Sequence, residues 1–303
     1  DTATTFHAKS GKYKVYDKFI HDSRKGGYGS INLATAFAVS SNTAFAELIN
    51  EGYRGSAQAF VNRLYSMKLH EPLGLPIEGE QAPLIRYPGD KGWSGLSLAW
   101  MSHGYEVLMT PLQVLAFYNA IANDGRYIKP QFVSEVRRGD QVVRSFETEV
   151  IHPSIASAKT IKVAQRLLAD VVEKPYGTAH KLYDKHFPIA GKTGTAQVNY
   201  QLGKENVDYV SSFVGYFPAD EPRYSCIVVV HRPDKNDKIY GADVAGPVFK
   251  SIAQKIYATS PFVDEVRLKT QVTESLKPLP SKPLVSVTSL LPIEVTQFDT
   301  PIK

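Results

Sequence analysis

Three apolar, strand-like segments lie close together late in the chain: Ile189 to Val198, Ser211 to Phe217 and Tyr224 to His231. They limit what it can fold into more than any other feature. Their β-branched and aromatic residues suit a pleated, half-buried surface. The segments before them read as helices. Ile161, Ala164, Leu167, Leu168, Val171 and Val172 recur at helical spacing. Thr110-Pro111-Leu112-Gln113 predicts a helix start, because Thr110 can accept a bond from an orphan amide and Pro111 sits where its missing N–H costs nothing. That helix is expected to run to about Asn123, to bury Leu112, Leu115, Ala116 and Ile121, and to end at Gly125. Helices in the middle and strands late, joined by tight turns, indicate an α+β domain with an antiparallel sheet.

Residues 1–29 are polar and rich in Gly and Tyr, which predicts a loop. The densest basic stretch lies there, from Lys9 through Lys12, Lys14, Lys18, Arg24 and Lys25, but Asp17 and Asp22 interrupt it. With a net charge of only +5 and no basic face bearing stacking aromatics, nucleic-acid binding is excluded. Ser30 is expected to cap a helix carrying Leu33, Ala34, Phe37 and Ala38. A second helix should follow Asn42, with Phe45, Leu48 and Ile49 on one face and Gly52 closing it. Ser56 should cap a third, with Phe60, Leu64 and Met67 as its stripe. Pro72, Pro76, Pro83 and Pro88 keep residues 70–95 irregular. Residues 132–137 and 142–146 predict a hairpin about Gly139-Asp140. Pro247 is expected to start a last helix, with Val248, Ile252 and Ile256 inward. Beyond Ser260, prolines among Lys, Ser, Thr and Val predict a linker or the start of another module, so the main domain is placed at 1–258 and the remainder at 259–303.

Other chemistries lack their residues. No run of ~18 apolar residues is present to span a membrane. Cys226, the single cysteine, sits in the run Ser225-Cys226-Ile227-Val228 and reads as packing. His180 and His186 are six apart, with no His-Glu-x-x-His and no second cysteine, so neither a metal nor a cofactor is expected. His21-Asp22 reads as a solvated loop pair, and His103, near Tyr105, as a cleft or packing residue.

Two short motifs carry the chemistry. Lys192-Thr193-Gly194-Thr195 lies inside a strand-like run, where a glycine signals close approach of a ligand or another backbone. A strand presenting a lysine, hydroxyls and free amides can bind a carboxylate and line a peptide. Ser40-Ser41-Asn42 stands between two helical stretches, where a hydroxyl and a carboxamide two residues apart can face one cleft. In this order, Ser-x-Asn and Lys-Thr-Gly belong to the motif set of penicillin-binding proteins and class A β-lactamases. The chain resembles that family, and more closely its class B high-molecular-weight transpeptidases. The closer likeness rests on Ala38-Val39-Ser40-Ser41-Asn42-Thr43-Ala44-Phe45, on Gly104-Tyr105 with Thr110-Pro111-Leu112-Gln113, on Ile121-Ala122-Asn123-Asp124-Gly125, and on Gly191-Lys192-Thr193-Gly194-Thr195-Ala196-Gln197. Ser212-Phe213-Val214-Gly215-Tyr216-Phe217-Pro218-Ala219 resembles the strand that pairs with the Lys-Thr-Gly strand.

The resemblance implies the penicillin-recognising serine transferase fold, an antiparallel sheet packed on a helical lobe, here without its N-terminal part. It implies a peptidoglycan D,D-transpeptidase of division type, inhibited by β-lactams, acting on stem peptides at the periplasmic face of the inner membrane beside membrane proteins of the division machinery. The nucleophile and its base would come from a Ser-x-x-Lys motif. None occurs in these 303 residues, which places the acylating serine before Asp1. Among the catalytic residues, Ser40 would relay a proton, Asn42 bind the donor peptide's amide, Lys192 raise the positive potential, and the N–H of Thr195 form half of an oxyanion hole. Thr193 and Thr195 would bind the terminal carboxylate, Gly194 and Gln197 line the substrate, and Tyr105 form a cleft wall that Lys192 faces. Glu106 departs from the glycine common in such relatives. Two alternatives keep the fold: a non-catalytic β-lactam sensor or division scaffold, and a D,D-carboxypeptidase.

Overall fold

The computed structural model describes residues 1–8, 10–199 and 207–259. From the N-terminus, β1 (Thr5–Ala8), β2 (Lys12–Val15), β3 (Lys18–His21) and β4 (Gly29–Asn32) lead into helices α1 (Leu33–Ala38), α2 (Asn42–Gly52) and α3 (Ala57–Ser66). Then come β5 (Leu84–Ile85), α4 (Ser97–Met101), β6 (Val107–Leu108), α5 (Pro111–Ala122) and β7 (Tyr127–Ile128). The hairpin of β8 (Glu135–Arg138) and β9 (Gln141–Ser145) follows, with β10 (Val150–His152) and α6 (Ala158–Glu173). A 3₁₀ turn at His180–Leu182 precedes β11 (Ala190–Val198), β12 (Asp208–Phe217), β13 (Tyr224–His231) and α7 (Gly241–Thr259).

The late segments form the antiparallel sheet, in the order β11-β12-β13. Its register pairs Lys192 with Val214 and Val214 with Ile227. Side chains alternate across a strand, so this register assigns every residue to one of two faces. Ala190 and Tyr216 face α5 and α6, where they pack with Ala116, Ala120, Ile121, Ile161 and Leu168. Phe213 and Phe217 face the other way, onto Phe249 and Ala245 of α7. The Phe213 and Phe249 rings meet edge-on at 4.7 Å. Each such buried ring contributes about 1.5–3 kcal/mol by leaving water. Lys192 therefore points into the helical side of the sheet, and Thr193 and Thr195 point to the side of α7.

The polar opening is not a loop. β1 pairs with β4 and β2 with β3, each strand four residues long. Val15 and Ile20 turn inward against Ala46 and Ala99, while Lys12 and Lys18 stay out, so one buried residue per strand suffices to seat the hairpin. Ser30 lies in β4, and the cap of α1 is Asn32, whose side chain accepts from the N–H of Thr35 at 2.8 Å. Ser41 caps α2, and Ser56 precedes α3 without a side-chain capping bond. Pro247 does not start α7 but stands within it; the helix begins at Gly241. Gly241 fits there because a Cβ would collide with the carbonyl oxygens of Ser212 and Gly194. Residues from 260 onward, where the Pro-rich segment was expected, lie outside the described residues.

α5 begins as its sequence predicts, with a reciprocal capping box. The N–H of Gln113 donates to Thr110 Oγ1 at 3.3 Å, and that of Thr110 donates to Gln113 Oε1 at 2.8 Å. Ala116 and Ile121 are buried as expected, whereas Leu112 and Leu115 are only half-buried and Gln113 is 1% exposed. Gln113 tolerates burial because its amide also donates to the carbonyl of Gln81 at 2.9 Å. The helix ends where the N–H of Gly125, at φ +93°, reaches the carbonyl of Ala120 at 2.8 Å. Thr110→Ala is expected to cost about 1 kcal/mol, read as a lower urea midpoint. An unchanged midpoint would mean that Gln113 holds the helix start alone.

Candidate active site

Between α1 and α2 the chain turns through Ser40 at φ 55°, a left-handed conformation that glycine normally supplies. The hydrogen bonds explain it. The N–H of Ser41 reaches back to the carbonyl of Ala36 at 2.9 Å and that of Ser40 to Phe37 at 3.2 Å. This is a Schellman ending, with Ser40 in the place of its glycine. A side chain kept there costs about 1–3 kcal/mol of backbone strain, which points to a use for the hydroxyl.

That turn is held from below by Asp22, which the sequence had suggested was solvated. Asp22 is only 9% exposed. Its carboxylate accepts from the Ser41 hydroxyl at 3.1 Å, from the Thr43 N–H at 3.0 Å and from the Thr43 hydroxyl at 2.8 Å. A carboxylate at the first turn of α2 also complements the positive end of that helix. Alongside, the Asn42 carboxamide donates to the carbonyl of His21 at 3.0 Å, which leaves its own oxygen to accept. His21 at the end of β3 and Asp22 just after it thus fix Ser41, Asn42 and Thr43, through partners about twenty positions away that no local pattern announces.

Lys192 of β11 meets this turn. Its ammonium donates to Ser40 Oγ, across 152 positions of sequence, and lies 5.8 Å above the Phe37 ring. Burial pushes the Lys192 pKa down to about 8. On the opposite strand face, Thr193 Oγ1 lies 3.0 Å from Thr178 Oγ1, and Thr195 Oγ1 accepts from the N–H of Gly241 at 3.0 Å. A Cβ on Gly194 would stand 2.5 Å from the Ser212 hydroxyl, and a Cβ on Gly241 would stand 2.5 Å from the carbonyl oxygen of Gly194, so the backbone of Gly194 is approached closely from both sides. Thr195 and Gln197 are exposed along the strand.

Tyr105 lies edge-on to Trp100 at 5.9 Å and to His103 at 5.3 Å. His103 packs in the same aromatic group, and its burial lowers its pKa to about 4, so it is neutral. Glu106 adopts φ 58°, the conformation for which glycine is the easier choice, and its carboxylate lies 3.9 Å from Arg86. The described surface holds open concavities of ≈ 290 Å³ around Asp124, Lys162 and Arg223, and of ≈ 370 Å³ around Tyr53, Arg54 and Trp93. Neither is lined by Ser40, Asn42, Lys192 or Tyr105. Ser40 and Phe37 occupy the space at the lysine head.

The family described as penicillin binding protein transpeptidase domain matches residues 1–254. Peptidoglycan D,D-transpeptidase FtsI of Buchnera aphidicola subsp. Baizongia pistaciae is 33% identical over 194 residues, 64% of this chain and 32% of its own. Penicillin-binding protein PbpB of Mycobacterium tuberculosis is 30% identical over 244 residues, 77% of this chain and 35% of its own. The chain thus spans about a third of the length of these curated relatives. Among solved structures, apo penicillin-binding protein 3 of M. tuberculosis aligns with a TM-score of 0.68 at 27% identity, over 82% of this chain and 56% of that one. The transpeptidase domain of Burkholderia pseudomallei penicillin-binding protein 3 shares the fold, with a TM-score of 0.70 at 23% identity over 86% and 73%.

Proposed function

The chain belongs to the penicillin binding protein transpeptidase family, and from that premise we propose that the full-length protein is a serine-type peptidoglycan D,D-transpeptidase. Its serine attacks the penultimate D-Ala carbonyl of a donor stem peptide, D-Ala leaves, and an acceptor amine resolves the acyl-enzyme. β-Lactams trap the acyl state. The observation that carries this reading is the Lys192–Ser40 hydrogen bond, which joins the two motifs at one point.

The roles follow from what each group has left to offer. Ser40, with Lys192 donating to its oxygen, keeps its own proton to pass to the leaving nitrogen. The free carboxamide oxygen of Asn42 takes the donor peptide's N–H. Thr195 accepts from Gly241 and so retains its hydroxyl proton for the terminal carboxylate, as Thr193 does within its pair with Thr178. Lys192 supplies positive potential, and the Thr195 N–H supplies half of the oxyanion hole. Gly194 and Gln197 line the peptide, and Tyr105 forms a wall. The nucleophile is the serine of a Ser-x-x-Lys motif upstream of Asp1. Residues 1–258 are the later part of the catalytic domain, residues 259–303 a linker or further module, and the protein works at the periplasmic face of the inner membrane beside proteins of the division machinery.

The test is labelled penicillin followed by intact-mass analysis. The full-length protein should gain one long-lived adduct on the upstream serine, and the 303-residue chain none. An adduct on Ser40 would overturn the assignment of the nucleophile, and release of the label within minutes would favour a carboxypeptidase.

A further inference from the structure

Thr178 belongs to none of the motifs, yet it touches both elements that carry them. Its N–H donates to the carbonyl of Ala38, two residues before Ser40, at 2.9 Å. Its hydroxyl lies 3.0 Å from that of Thr193, the neighbour of Lys192. The segment around it has little freedom. Gly177 passes so close to the end of α6 that a Cβ would stand 2.9 Å from the carbonyl oxygen of Asp170 and nearer still to that of Val171. The N–H of Ala179 donates to Val171 at 3.1 Å, and Ala179 is fully buried. Thr178 is therefore positioned before any ligand arrives, which spares a ligand the cost of ordering it.

The hydroxyl pair has a proton to spare. Each threonine brings one O–H, and a single bond between them uses only one. Among the described residues no further acceptor takes the other. Both side chains are half-buried, so a free donor there suits an acceptor brought by a ligand. Thr195 contributes a third hydroxyl on the same strand face, and the Lys192 cation stands on the adjoining residue.

We propose that Thr178 is a specificity-determining residue of this site: the terminal carboxylate of the donor peptide or of a β-lactam replaces the bond between the two hydroxyls as their acceptor, so that Thr178 donates to it together with Thr193 and Thr195. This rests on the transpeptidase reading above. The experiment compares acylation of the full-length protein by a penicillin bearing its free carboxylate and by the methyl ester of the same compound. Thr178→Val, which keeps the shape and removes the O–H, should slow acylation by the free acid about tenfold, the weight of one hydrogen bond to a charged acceptor. It should leave the rate with the ester unchanged. Thr178→Ser should restore the rate with the acid, and Thr178→Ala should repeat the contrast should the valine variant fold poorly. Equal slowing of acid and ester, or no slowing of either, would overturn the role of Thr178. A wild-type protein that reacts with neither compound would instead overturn the transpeptidase reading.

Discussion

Lys192→Met in the full-length protein is expected to lower the rate of acylation by penicillin about 10²–10³-fold while making the protein more stable at neutral pH. The loss follows from removing a preorganised cation and donor from the point where charge develops, a change of that order in other enzymes. The gain follows from the direction of the pKa shift. Burial lowers the Lys192 pKa from 10.5 to about 8, so folding pays for a charge it would rather not hold. Between those values the unfolded chain binds a proton that the folded one has released, and wild-type stability rises with pH. Below about pH 8 the penalty is fully present; above about 10.5 it has gone. Urea midpoints of wild type and Lys192→Met should therefore differ most at pH 7, with the variant higher, and converge as pH rises through that window. A variant that acylates within tenfold of wild type, or one less stable at pH 7, contradicts the role assigned to this lysine.

Asp22→Ala should be the most damaging single change to the Ser40 turn. It leaves two hydroxyls and one amide, those of Ser41 and Thr43, without their charged acceptor in a buried place. A loss of about 3 kcal/mol is expected, given the strength of hydrogen bonds to charged groups. For a domain of this size it should appear as a fall of roughly 6–12 °C in Tm. Acylation should fall further than the unfolded fraction explains, because Ser40 loses the support of the left-handed turn that brings it to Lys192. Asp22→Asn keeps one acceptor oxygen and should recover part of both effects. A thermal shift of under ~2 °C for the alanine variant would mean that the capping of α2 by Ser41 carries the turn unaided.

Legibility in the sequence tracked the distance over which each signal acts. The helix start at Thr110-Pro111 is complete within a few residues and was readable as such, whereas the return bond from the Thr110 N–H to Gln113 came from the structure. The strands β11 to β13 were readable because their apolar runs are long. β2 and β3 were not, since four residues that bury only Val15 or Ile20 display no alternation, and their lysines read as loop. The face of α5 was legible at Ala116 and Ile121 but not beside them, because periodicity counts Leu112 and Leu115 as buried, whereas Gln113 is inside, held by partners at residues 80 and 81. Pro247 suggested a helix start by its own geometry. The actual start depends on room beneath Ser212 and Gly194, which only the folded sheet defines. The motif residues Ser40, Asn42 and Lys192 were found by type and order. Asp22 and Thr178 were missed because their partners are 15 to 21 positions away or more and their types carry no pattern.

The contact between Ser40 and Lys192 also sets a clock for biosynthesis. At about 5–20 residues per second, roughly 8–30 s separate the emergence of the two ends of this 152-residue span from the ribosome. During that interval α1 can coil and α2 can be capped by Ser41, since both are local events. Phe37 and the small residues beside it then have no sheet and no α6 to cover them. The nascent chain therefore carries Ser40 beside an incompletely covered apolar helix until α6 and β11 have been made, and that stretch of time is when a holdase would find it.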